Sequence, residues 1–128
     1  MDRRTKEQVA AELHEKLKDF KLAVLTSYSG MDVAKITALR VVLRKSNAEL
    51  RVVKNSLLSI ASRETDFCAL EEHFRGPLAV AIARGDVVET TKALVDFAKK
   101  NASLEIKAAV MGGKPLSREQ LTIMAELP

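Results

Sequence analysis

The sequence has 128 residues, a formal net charge of +4 and 47% hydrophobic residues, which suits one domain with its own core. No apolar run approaches the roughly 20 residues that span a bilayer, and the charged N-terminus lacks the apolar centre of a signal peptide, so we expect a cytoplasmic protein with no membrane contact. A single cysteine, Cys68, excludes an intrachain disulfide and a cysteine zinc cluster. We expect its thiol to be buried and inert.

The first helix is predicted from about residue 3 to 19, because apolar residues recur there at three- and four-residue spacing. Its first turn carries Arg3, Arg4 and Lys6, although cations oppose the helix dipole at that end. A phosphate partner would compensate for this, and a tolerated surface is equally consistent. His14 flanks the apolar stripe and has no partner at ligand spacing, so we expect a surface or half-buried structural histidine. The stripe consists of Val9, Ala10, Leu13, Leu17 and Phe20.

Residues 21–27 predict the first strand, and their near-continuous apolar run indicates a sheet covered on both faces. The loop that follows contains Tyr28 and Gly30, and Asp32 is the expected N-cap of the next helix. The ring of Tyr28 would either stack on a nucleobase or close the core. The sequence does not decide between these two interpretations.

The second helix, from about residue 32 to 45, is amphipathic. Arg40 and Arg44 are four residues apart on a side that the apolar residues do not occupy, and no acidic residue follows Asp32 on this helix to pair with them. Two unpaired arginines one turn apart form a fork suited to phosphates, although solvated arginines are the alternative. The apolar side consists of Ile36, Leu39, Val42 and Leu43.

The second strand, residues 50–53, leads into Lys54 and a third helix predicted over residues 57–63. Asn55 or Ser56 is the expected cap. A lysine and free backbone N–H groups at a helix start favour an anion, but the pattern is short and common. Together with the preceding strand and helix, this segment predicts a strand–helix–strand unit with polar residues at its joints.

The basic residues of the chain are concentrated in this same segment. Residues 1–20 are balanced in charge and residues 64–128 are slightly acidic, so the positive excess lies in residues 21–63. Such an excess favours a polyanionic partner, although an ordinary solvated face would show it too. The segment contains Lys21, Lys35, Arg40, Arg44, Lys45, Arg51, Lys54 and Arg63, against Asp32 and Glu49.

The remaining elements complete a single α/β domain, predicted as a central mixed sheet of about four strands flanked by helices. The pattern predicts a brief helix over 67–74, strands over 78–83 and 104–111, a helix over 86–100, a linker over 112–115, and a capping box at 117–120 that opens a last helix.

Signals of catalysis are scarce. Neither His14 nor His73 lies in a nucleophile or zinc motif, and the Gly112-Gly113-Lys114 segment lacks the upstream glycine and the Ser/Thr of a P-loop. No dinucleotide-binding glycine motif follows the first strand. We therefore expect no enzyme activity, no catalytic residue, no cofactor and no metal site.

Several motifs, in order and spacing, resemble bacterial large-subunit ribosomal protein ten, the stalk-base family, over essentially the whole chain. They are YSGMDV at 28–33, LR at 39–40 and 43–44, VVKNSL at 52–57, GPLA at 76–79 and LP at 127–128. One departure is Met31-Asp32, where the family often has Leu-Thr.

The resemblance implies an α/β domain that binds the stalk-base region of large-subunit rRNA beside ribosomal protein eleven, where translational GTPases act. It also implies repression of the protein's own message. RNA contact carries over to the matching positions, which are Tyr28, Gly30, Arg40, Arg44, Lys54, Asn55 and Ser56. We add Arg3, Arg4 and Lys6 from charge and position alone.

The expected organisation is an rRNA-binding domain over 1–111, with 112–128 as a linker and the start of a C-terminal helix. Members of the family continue into a long helix that carries dimers of ribosomal protein seven/twelve, and we expect this chain to be truncated before that arm. The alternative is a non-ribosomal relative, in which residues 21–63 dock an acidic protein as an interaction or ribosome-assembly module. Charge alone does not separate the two, because both partners favour arginine.

Overall fold

The computed structural model describes residues 3–18, 20–28, 31–101 and 103–126. Within these residues, five α-helices and one 3₁₀ helix accompany a single five-stranded sheet. In chain order the elements are α1 (Arg3–Lys18), β1 (Leu22–Ser27), α2 (Val33–Arg44), β2 (Ala48–Val53), α3 (Asn55–Ala61), the 3₁₀ helix (Asp66–His73), β3 (Leu78–Ala83), α4 (Val87–Lys100), β4 (Glu105–Met111), β5 (Lys114–Ser117) and α5 (Arg118–Glu126).

The strands are ordered β2-β3-β1-β4-β5, and every neighbouring pair is antiparallel. The predicted α/β class, with one sheet flanked by helices, is confirmed. The sheet is antiparallel and has five strands, where the sequence predicts a mixed sheet of about four. Strands β1 and β2 run in the same direction because each is antiparallel to β3, which lies between them. The predicted strand–helix–strand unit is thus present, but its two strands do not pair with each other.

The position of β3 explains this difference. All six of its residues, Leu78–Ala83, are buried, so the strand needs cover on both faces. A buried strand also needs hydrogen-bonding partners along both edges. Its register supplies both partners, since Leu78 pairs with Ser27 of β1 on one side and with Val53 of β2 on the other. Hydrophobic periodicity reports burial but does not report which strands are neighbours.

Two hydrophobic clusters cover the two faces of the sheet. The first joins α1, α3 and the 3₁₀ helix to one face, with Leu13, Leu58 and Phe67 among its most buried side chains. The second joins α2, α4 and α5 to the other face. Because β1 alternates between the clusters, Ala23 and Leu25 contact the first while Leu22 and Val24 contact the second. The fold therefore has three layers, with the sheet between two layers of helices.

Residues 112–117 form a turn and a strand in place of the expected linker. Gly112 and Gly113 have φ values of +58° and +80°, which favour glycine. Strand β5 then pairs with β4, from Lys114 opposite Met111 to Ser117 opposite Ala108. The sequence shows no alternation here because three of the four residues of β5 are exposed.

The predicted capping box is confirmed. The backbone N–H of Ser117 donates to Oε1 of Gln120 at 2.8 Å, and the N–H of Gln120 donates to Oγ of Ser117 at 3.2 Å. Helix α5 then places Leu121 in the second cluster. The end of the described chain is therefore packed on the domain.

Two predictions about single residues had different outcomes. His14 is half-buried, as predicted, and its Nδ1 lies 2.8 Å from the carbonyl oxygen of Ala61. Cys68 was predicted to be buried, but it is exposed. The reason is that the 3₁₀ helix turns Phe67 and Leu70 into the core, which points Cys68 towards solvent.

Of the helices that the structure describes, none is long and apolar enough to cross a membrane.

Candidate nucleic-acid interface

Helix α2 presents the two arginines that the sequence singled out. Asp32 caps the helix, because its carboxylate accepts a hydrogen bond from the backbone N–H of Lys35 at 2.9 Å. Leu39 and Leu43 are fully buried under the helix, which fixes its rotation. Arg40 and Arg44 are then exposed. One helical turn separates them, which places their side chains side by side.

Neither arginine is neutralised by a neighbour in the described part of the chain. Among the residues that the structure describes, no salt bridge involves Arg40 or Arg44. Glu49, the one acidic residue of β2, forms a salt bridge with Lys16 of α1, with 2.6 Å between Nζ and Oε1. The two arginines are exposed on one helix face, where the sequence predicts them. Whether they contact RNA stays a prediction.

The sheet order brings a third arginine to the same place. Strand β2 is one of the two edge strands, and a cavity of about 420 Å³ lies along it, lined by Arg40, Arg44 and Arg51. Arg51 also approaches Glu12 of α1, with 3.7 Å between the guanidinium nitrogen and the carboxylate oxygen. That pair is partly exposed and long, so it leaves Arg51 able to bind a second anion. Sequence reasoning placed Arg51 in the basic stretch but not in the site, since only the strand order shows that β2 is an edge.

Lys54, Asn55 and Ser56 follow directly at the end of β2, and all three are exposed. The expected capping role is wrong. Lys54 is the N-cap residue of α3, no side chain caps this helix, and Asn55 and Ser56 lie in its first turn. Their side chains are therefore not used to close the helix. With Arg40, Arg44 and Arg51, Lys54 forms a surface that we call the basic edge.

Tyr28 and Lys54 lie at the same end of the sheet. Strands β1 and β2 end there, on either side of the beginning of β3, so the two residues are separated by about two strand spacings, roughly 10 Å. The backbone N–H of Tyr28 donates to the carbonyl oxygen of Pro77 at 3.4 Å. The side chain of Tyr28 is half-buried against the second cluster, which supports the interpretation that it closes the core.

The sequence predicts four further RNA contacts, at Gly30, Arg3, Arg4 and Lys6. Gly30 lies outside the described residues. The backbones of Arg3, Arg4 and Lys6 belong to the first turns of α1, but their side chains lie outside the described part. RNA contact at these four positions stays a prediction.

No group of three or more His, Cys, Asp or Glu residues suited to a metal ion occurs in the described part of the chain. The candidate site consists of Arg40, Arg44, Arg51 and Lys54. Guanidinium and ammonium groups form charge-assisted hydrogen bonds with phosphate oxygens. The arrangement can bind a polyanion along the edge of the sheet.

Comparisons with known proteins agree with the resemblance noted in the motifs. A family model described as ribosomal protein L10 matches residues 1–99. The large ribosomal subunit protein uL10 of Syntrophus aciditrophicus is 63% identical over 128 residues, which cover 100% of this chain and 74% of that relative.

Proteins of the same name from other bacteria are more distant but align over nearly the same length. That of Geobacter metallireducens is 44% identical over 129 residues, covering 100% of this chain and 74% of the relative. That of Desulfatibacillum aliphaticivorans is 43% identical over 123 residues, covering 96% and 71%. The chain belongs to the L10 family of large-subunit ribosomal proteins.

Proposed function

We propose that this chain anchors the base of the large-subunit stalk by binding large-subunit rRNA in the centre where translational GTPases act. The observation that carries the proposal is the pair Arg40 and Arg44, exposed, free of salt bridges among the described residues and lying beside an edge strand. Membership in a ribosomal protein family supports RNA as the polyanion. The same membership fits the expectation that the chain is not an enzyme.

Affinity and selectivity come from different parts of the site. The basic edge neutralises backbone phosphates, which supplies affinity that falls with salt. Asn55 and Ser56, whose side chains are not used in capping, supply hydrogen bonds that fix register. The loop that begins at Tyr28 and contains Gly30 follows the shape of the folded RNA. Arg3, Arg4 and Lys6 extend the positive surface along α1.

The same proposal names the partners. Ribosomal protein eleven binds beside this domain on the stalk-base rRNA, and the complex belongs to the large ribosomal subunit in the cytoplasm. Dimers of ribosomal protein seven/twelve join through a C-terminal helix that is not among these 128 residues. An rRNA-like leader on the protein's own message would occupy the same surface and repress translation.

The test is a titration of the 128-residue chain onto a folded stalk-base rRNA fragment, with and without ribosomal protein eleven, at two salt concentrations. We expect salt-sensitive binding that exceeds binding to an unrelated structured RNA of equal length. Equal affinity for the two RNAs would refute the anchor role. A search for an acidic protein partner would then follow, since such a partner also favours arginine.

A further inference from the structure

The cavity beside β2 is more than a charged surface. Apolar side chains line it on both sides of the strand. Leu50 and Val52 face α2, whereas Val53 faces α1 together with Val9 and Leu13. Val52 is 40% exposed, although it belongs to a strand whose other valine, Val53, is buried. Phosphate oxygens gain nothing from contact with an exposed valine, so Val52 favours an occupant that also has an apolar part.

The strand that lines this cavity has a free edge. The backbone N–H of Arg84 donates to the carbonyl oxygen of Asn47 at 3.3 Å, in line with the β2–β3 register. Since residues of an antiparallel pair alternate in direction, the N–H and C=O groups of Ala48, Leu50 and Val52 point away from β3. Apart from the ladder to β3, no backbone hydrogen bond among the described residues involves residues 48–53. An edge of this kind offers alternating donors and acceptors.

The charges around the cavity select the occupant. Arg40 and Arg44 lie on the α2 side and Arg51 lies on the strand itself. Glu49 is the only acidic residue among the described residues of the lining, and it is bound by Lys16. These charges, together with the exposed Val52, favour an occupant that carries negative charge next to an apolar part. A nucleotide meets both conditions, because its phosphate is anionic and its base has an apolar face with polar edges. The volume of about 420 Å³ lies within the range of small-ligand sites.

We propose that this cavity receives one nucleobase extruded from the bound RNA. The base rests on Val52, a guanidinium of Arg40 or Arg44 stacks on it or binds its phosphate, and the free backbone groups of β2 bind its polar edge. The inference rests on the proposed RNA-binding function and adds that recognition requires an unpaired nucleotide at one position. A fully paired RNA cannot supply such a base without breaking a pair.

The first experiment varies the RNA and keeps the protein unchanged. Each unpaired nucleotide of the stalk-base fragment is replaced in turn by an abasic residue, and the dissociation constant is measured with the whole chain. We expect one position at which removal of the base weakens binding about fivefold to 150-fold, the range for a stacked base. The salt dependence at that position should be unchanged, because the phosphate is still present.

The second experiment fills the cavity. Val52→Phe should weaken binding of the intact fragment by a similar factor, and it should cause no further loss with the sensitive abasic RNA. Val41→Phe is the matched control, since Val41 is 49% exposed on α2 and does not line the cavity. Thermal unfolding of both variants shows that the fold is intact. The abasic series does not depend on either variant folding.

The outcomes separate this inference from the function on which it rests. If no abasic position weakens binding, or if Val52→Phe binds intact RNA like the unmodified chain, the base site is refuted while RNA binding stands. In that case the free edge of β2 would be tested for an extended peptide. If the unmodified chain shows no preference for the fragment, the proposed function itself fails.

Discussion

Replacing Arg40 and Arg44 together by alanine should weaken RNA binding without changing stability. Both side chains are exposed, and neither forms a salt bridge within the described residues. The core under α2 is formed by Leu39 and Leu43, which the double variant leaves in place. Alanine also has the best helix propensity, slightly better than that of arginine. The melting temperature should therefore stay within the error of the measurement.

The magnitude follows from the number of phosphates lost. Each neutralised phosphate contributes a slope of about 0.7–0.9 to the fall of log affinity with log salt. Two lost contacts should make the slope shallower by about 1.4–1.8. Between 50 and 200 mM salt, a fourfold change, the unmodified chain should lose about 7- to 12-fold more affinity than the variant.

The assay is a set of binding isotherms on the stalk-base fragment across that salt range, with unfolding followed by circular dichroism. Lys114→Ala with Arg118→Ala is the matched control. Both residues are exposed. Lys114 lies on β5, at the opposite edge of the sheet from β2, and Arg118 directly follows β5. The control variant loses the same charge, and its only described ion pair, Arg118 with Glu119, is long and exposed. An unchanged slope for the α2 variant, or an equal change in the control, would refute the assignment of phosphate contacts to Arg40 and Arg44.

Two further predictions concern the packing that positions the site. Leu39→Ala should destabilise the domain by about 2–5 kcal/mol, because Leu39 is 0% exposed. Urea unfolding measures this loss of stability. The control is Val41→Ala, at an exposed position, which should cost less than about 0.5 kcal/mol. Leu121→Ala should cost a similar amount, about 2–5 kcal/mol, because Leu121 is 1% exposed. A negligible loss at Leu121 would show that α5 does not belong to the folded domain.

The sequence by itself determined most elements and their inward faces. The stripe of α1, the burial of β1 and β3 and the capping box at 117–120 all follow from local rules of periodicity and hydrogen bonding. Asn47, between α2 and β2, has a φ of +57°, which asparagine tolerates. The exposure of Arg40 and Arg44 follows in the same way, since the apolar residues of α2 leave only one side free.

What the sequence left undecided were the pairings between distant segments. The strand β5 lacks alternation because it is short and mostly exposed. Gly85 is a second feature that no local pattern predicts. A Cβ added there would lie 2.7 Å from the carbonyl oxygen of Ser46, so this position needs glycine because of a distant segment.

Only the tertiary structure placed β3 between β1 and β2 and so made β2 an edge strand. That single pairing places Arg51 beside the cavity that the two arginines of α2 also line, and it leaves one row of β2 backbone groups without a strand partner. The physical reason is that burial is recorded residue by residue in the sequence, whereas the choice of neighbouring strand depends on how all the buried faces fit together.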